Sequence, residues 1–164
     1  MIALLAALAL VQSAPPAAPA EGPWRMLIQV PYESSQPRYI FWIRSADVGP
    51  EGKETGTRLV HTFGFHLDDQ GRPRGVDHRT SSLARYDCDA GTVQRLEVTV
   101  IDGDVVTHEA ADAAPESVIP HTSDRVVLGV VCGGGVPSVA PTGEDVDAAW
   151  RAQQAILERW AAAN

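Results

Sequence analysis

Cys88 and Cys132 carry the most reactive side chains in this sequence. A catalytic role for Cys88 would need a thiol of lowered pKa and a histidine base beside it. His78 and His108 are possible bases, but no signature of a cysteine nucleophile surrounds Cys88. Since the two cysteines leave no unpaired thiol, we predict a structural disulfide between them.

The histidines suggest two further kinds of chemistry. His61 and His66 are five positions apart, so a strand would point them to opposite faces, and we predict no metal site there. An enzyme of unrecognised type using His61, His78 or His121 stays open as an alternative function.

Other reactive patterns are incomplete. Ser81 and Ser82 are followed by Arg85, but a serine–lysine dyad needs a side chain that can lose its proton, and arginine cannot. The glycine triplet 133–135 has no lysine after it and does not match a phosphate-binding loop. The turn carboxylates match no calcium loop and are expected to be solvated: Asp68, Asp69, Asp87 and Asp89. We therefore predict no catalytic residue, no metal and no cofactor.

A series of strands must position these residues. Apolar alternation and turn signals predict strands at 24–30, 38–44, 57–67, 79–88, 93–101, 105–109 and 125–132. Asp102-Gly103-Asp104 is the strongest hairpin signal. Short connections favour antiparallel neighbours, so we expect a meander-like sheet of about six strands, with both cysteines at strand ends.

The C-terminal stretch changes to a helical period. Thr142 can cap a helix with Glu144 and Asp145 in its first turn. The apolar stripe contains Val146, Ala149, Trp150, Gln153, Ile156 or Leu157, and Trp160. We predict a helix over 143–162 that packs on the sheet, which gives an α+β fold in one domain, 24–164.

The first residues predict export. Met1 to Val11 is an apolar run too short to cross a bilayer, and residues 1–20 are typical of a signal peptide with an Ala/Pro-rich linker. Cleavage after Ser13 or after Ala20 fits; an uncleaved anchor or a mis-assigned start is the alternative. No cysteine lies near the end of the run, where it could carry a lipid. We expect a periplasmic or secreted protein with no stable membrane span after cleavage.

Charge and apolar exposure bear on partners. The net charge of −8 disfavours a nucleic-acid partner. The strand at 38–44 is apolar on both faces, so Ile40 and Trp42 would form an exposed patch for a protein partner or a self-dimer if the helix covered one face only. A covering loop is the alternative.

Several short motifs carry a family likeness. The sequence resembles the surface-adhesin protein E-like domain of bacterial envelope proteins over about 24–132. The residues that carry it are Arg79-Thr80-Ser81-Ser82, Tyr86-Asp87-Cys88, Asp102-Gly103, Val105-Val106, Pro120-His121-Thr122-Ser123 and Val131-Cys132.

The resemblance implies an antiparallel sheet with a terminal helix against it, a disulfide between Cys88 and Cys132, and no enzymatic activity. The named member of that family binds host extracellular-matrix and serum proteins. The leading hypothesis is therefore a non-catalytic envelope binding module. A purely structural envelope protein is a further alternative.

Overall fold

A computed structural model describes residues 23–29, 39–48, 55–68, 72–111, 113–134 and 142–163. The predicted signal peptide and linker, residues 1–20, and both predicted cleavage positions lie outside the described residues. The described chain has an antiparallel sheet with two α-helices, which confirms the predicted α+β class.

The sheet contains eight strands among the described residues. Across it the order is β6-β5-β4-β3-β2-β1-β8, and β7 pairs with β5 outside this series. This order confirms the meander; the strand count exceeds the predicted six because β7 and β8 are two-residue strands. The strands are β1 (Trp24–Gln29), β2 (Tyr39–Arg44), β3 (Thr57–Phe65), β4 (His78–Asp87), β5 (Thr92–Asp102), β6 (Val105–Ala110), β7 (Glu116–Ser117) and β8 (Thr142–Gly143).

The β5–β6 hairpin forms where the sequence predicts it. Asp102 pairs with Val105 across a two-residue turn. Gly103 has a φ of 64°, which a type II′ turn requires at its first central position and which glycine adopts without a steric cost. The turn therefore fixes the register of both strands.

Residues 125–132 do not form the predicted strand. Helix α1 spans Ser123–Gly129 and runs into a turn, Val130–Gly134, in which Cys132 and Gly133 depart from helical backbone angles. Thr122 caps the helix, because its side chain accepts a hydrogen bond from the Arg125 amide. The β-branched valines of this segment favour strand in isolation, but burial of Val127, Val130 and Val131 follows the helical period.

Helix α2 spans Val146–Ala163 and begins three residues later than predicted. Thr142 and Gly143 pair with Arg25 and Trp24 as β8, so Thr142 is not the cap. Asp145 takes that role, since its Oδ1 accepts a hydrogen bond from the Ala148 amide at 2.7 Å.

The two helices cover opposite faces of one end of the sheet. On the α2 face, helix residues pack against Trp24, Met26, Ile40, Trp42, Phe63 and Phe65. On the α1 face, helix residues pack against Leu27, Phe41, Ile43, Val60, Ala84, Tyr86 and Val93. Side-chain alternation along β1 and β2 sends neighbouring apolar residues into different clusters, so this end of the sheet is a three-layer sandwich.

Ile40 and Trp42 are therefore not an exposed patch. Trp42 is 0 % exposed and Ile40 is 8 % exposed, because α2 lies over both. The indole Nε1–H of Trp42 donates a hydrogen bond to Gln153 Oε1 of α2 at 3.1 Å. The apolar character of β2 on both faces comes from the two covering helices.

Cys88 and Cys132 form the predicted disulfide. Cys88 directly follows β4, whereas Cys132 lies in the turn after α1 rather than at a strand end. The bond thus ties the end of α1 to the sheet face that the helix covers. The described residues contain no free cysteine.

Candidate functional site

Strand β6 is an edge strand of the sheet and lies outside the part that the two helices cover. All six residues of β6 are exposed, and neither apolar cluster contains a residue of this strand. Val105 and Val106 are 64 % and 61 % exposed. Because neighbouring residues of a strand point to opposite faces, Val105 and Val106 place one exposed apolar side chain on each face of the sheet edge.

A buried carboxylate, that of Asp47, lies just after the end of β2. Asp47 is 7 % exposed, and its Oδ1 accepts hydrogen bonds from Arg44 Nε at 3.0 Å and Nη2 at 2.6 Å. Its Oδ2 accepts from the His61 amide at 2.6 Å and lies 3.0 Å from His61 Nδ1. These contacts bind the 3₁₀ turn Ser45–Asp47 to β2 and β3. A structural role therefore accounts for the burial of the Asp47 carboxylate.

We expect Asp47→Ala to lower the free energy of unfolding by about 1–3 kcal/mol, because the Arg44 guanidinium and the His61 amide lose a buried acceptor. Urea denaturation at neutral pH measures this difference. Asp104→Ala, in an exposed turn position, is the matched control and should stay within about 0.5 kcal/mol of wild type. Equal effects of both substitutions would contradict this role of Asp47.

A second histidine–carboxylate pair lies where β4 begins and β5 ends. His78 Nδ1 is 2.5 Å from Asp102 Oδ1, and Arg74 Nη1 lies 3.3 Å from the same oxygen. The hydrogen bond with His78, aided by the Arg74 charge, lowers the pKa of the Asp102 carboxyl below its ordinary value. Asp102 is exposed and His78 is partly buried, and the pair holds the turn end of the hairpin against β4.

The three histidines of the enzyme hypothesis are not brought into one site by these contacts. His61 pairs with Asp47, and His78 pairs with Asp102. His61 also lies opposite Leu83 in the β3–β4 register, and the five residues from Leu83 back to His78 span about 16 Å of strand. His121 is exposed, with a φ of 65°, just before α1.

A further polar cluster joins α1 to the sheet. The Tyr86 hydroxyl donates to Asp124 Oδ1 at 2.8 Å, and Arg95 Nη2 donates to Asp124 Oδ2 at 2.6 Å. Burial, with the adjacent Asp124 charge, raises the pKa of the Tyr86 hydroxyl far above its ordinary value. Tyr86 therefore remains a neutral hydrogen-bond donor, which anchors the first turn of α1.

Local sequence patterns do not indicate the carboxylate partners. Asp47 follows a strand in a polar stretch and its partner His61 is 14 positions away, while Asp102 fits a hairpin turn. Such pairs follow from strand register, which sequence patterns do not specify at this distance.

Within the described ranges, no three His, Cys, Asp or Glu side chains are grouped so that they could hold a metal ion. The described helices include none that is both long and apolar enough to cross a membrane. No family model, curated protein or solved structure matches this chain.

Proposed function

We propose that this chain is an exported, non-catalytic binding module of the bacterial envelope, and that it contacts a protein partner through the β5–β6 hairpin. The observation that carries this proposal is the exposure of all six β6 residues, including Val105 and Val106, beside a sheet end that is covered on both faces. Apolar residues that the fold itself does not bury are available for recognition.

The contacts of the histidines support a role without catalysis. His61 and His78 each engage a carboxylate that also binds an arginine, Arg44 in one case and Arg74 in the other. These contacts account for both side chains as parts of the fold. The resemblance to the surface-adhesin protein E-like domain supports the same class of function.

The disulfide supports the proposed location. Disulfides persist in oxidising compartments such as the periplasm and the extracellular space, and the Cys88–Cys132 bond is compatible with either. The apolar run at 1–11 is the sequence feature that would direct the chain there.

Capture experiments with matched variants test the proposed surface. The tagged full chain is incubated with a bacterial envelope fraction, beside the variants Val105→Ser/Val106→Ser and Leu59→Ser. Leu59 is an exposed apolar residue on β3, 52 % exposed and outside the hairpin. We expect wild type and Leu59→Ser to retain the same protein and the double variant to lose it. Equal retention by all three would refute the hairpin as the binding surface.

A further inference from the structure

The outer edge of β6 has hydrogen-bonding groups that no described residue satisfies. Strand β6 pairs with β5 on one side and is the last strand in the sheet order on the other. The Ala111 amide donates to Leu96 O, so alternation directs the amides of Val105, Thr107 and Glu109 toward β5. The N–H and C=O groups of Val106, His108 and Ala110 therefore point outward.

We propose that this edge pairs antiparallel with β6 of a second copy of the chain, with His108 facing His108 of the other copy across a two-fold axis. The inference rests on the proposed function and names the partner of the hairpin's backbone edge. A two-fold axis places the same strand on both sides of the interface, so that if residue i faces residue j, residue j also faces residue i. The sequence of β6 must therefore be complementary to itself.

Centring the axis on His108 gives that complementarity. Val105 then lies opposite Ala111, and Val106 lies opposite Ala110, so apolar residues face apolar residues at both ends. Thr107 lies opposite Glu109, which places polar residues together in the middle. All three outward-pointing residues of each copy then enter hydrogen-bonded pairs.

The neighbouring registers are poorer. An axis on Thr107 sets Val105 against Glu109 and leaves the outward groups of Ala110 unpaired. An axis on Glu109 sets two glutamates directly opposite each other, which is destabilising. Antiparallel pairing allows only registers in which outward residues face outward residues. Hydrogen bonding, apolar matching and charge therefore favour the same register.

The edge also lacks the usual protection against such pairing. Exposed edge strands are commonly blocked by lysine, by proline or by a bulge. Residues 105–110 contain no lysine and no proline, and the β5–β6 register is regular from Glu97–Ala110 to Asp102–Val105. Glu109 is the one charged residue of the strand, and in the proposed register it faces Thr107.

A proline at position 108 tests the pairing directly. His108→Pro removes the outward N–H and leaves the backbone hydrogen bonds to β5 intact, whereas His108→Ala keeps the N–H. Both variants lose the 2.6 Å contact of His108 Nδ1 with Thr99 Oγ1, so His108→Ala is the matched control. We expect wild type and His108→Ala to be dimers in sedimentation equilibrium of the purified protein. The proline variant loses two hydrogen bonds per dimer, so its dissociation constant should rise by about tenfold or more. Dimers of equal strength in both variants, or a monomeric wild type at the highest attainable concentration, would overturn the proposal.

Hydrogen exchange of the wild type provides a readout that does not depend on the fold of a variant. Raising the concentration of purified protein should slow exchange at Val106, His108 and Ala110, while Val105, Thr107 and Glu109 are already protected by β5. No concentration dependence at the three outward amides would overturn the dimer. Because only purified chain is present, that result is separate from the envelope capture, whose failure would count against the proposed function instead.

Discussion

Reduction of the Cys88–Cys132 disulfide should lower the free energy of unfolding by about 4 kcal/mol, one of the two largest effects we expect. The bond closes a loop with a sequence separation of 44, and the chain-entropy relation assigns about 4 kcal/mol to a loop of this length. That loss is a large fraction of the 5–15 kcal/mol, roughly, that stabilises typical domains. Urea denaturation with and without a reductant measures it.

The double variant Cys88→Ala/Cys132→Ala separates the bond from other effects of the reductant. We expect its denaturation midpoint to match that of the reduced wild type and to stay unchanged when reductant is added. A wild-type midpoint that does not move on reduction would show that the bond does not stabilise the fold.

The second large effect is expected for Trp42→Ala, with a loss of about 3–5 kcal/mol. Trp42 is fully buried between β2 and α2, its ring stacks on Phe63 at a centroid distance of 6.1 Å, and its Nε1–H bonds Gln153. The substitution creates a cavity and leaves the Gln153 oxygen without this donor.

Val106→Ala is the control for Trp42→Ala, because it removes apolar atoms from a side chain that is 61 % exposed. It should change the free energy of unfolding of the monomer by no more than about 0.5 kcal/mol. Thermal or urea unfolding at low protein concentration compares the two. A small effect at Trp42 would mean that α2 does not pack on β2 as described.

Local patterns predicted most of this fold because its strands follow one another in the sheet. The turn at Gly103 and the helical stripe of α2 are each encoded over a few residues, and each is present in the structure. The stripe includes Gln153, whose 0 % exposure follows from its position on that helix face.

The segment after Thr122 shows where local patterns fail. Apolar residues at 126, 128, 130 and 132 fit the alternation of a strand. The choice of α1 depends on burial against Tyr86 and Val60 from distant strands. The predicted exposure of Trp42 is wrong for a related reason. The sequence shows that β2 is apolar on both faces, but it does not show that a separate helix covers each face. The turn signal predicts the β5–β6 hairpin. The exposure of β6 depends on where both helices lie, which local patterns do not specify.

The uneven cover of the sheet also bears on how sequence changes would be tolerated. Close packing constrains the covered end: a Cβ at Gly143 would lie 2.5 Å from the Ala149 backbone nitrogen, so no larger residue fits there. Strand β6 bears no such constraint, because none of its side chains enters either apolar cluster. Substitutions in β6 should therefore leave the architecture of the covered end unchanged, so the edge strand is where the sequence can vary at the least cost in stability.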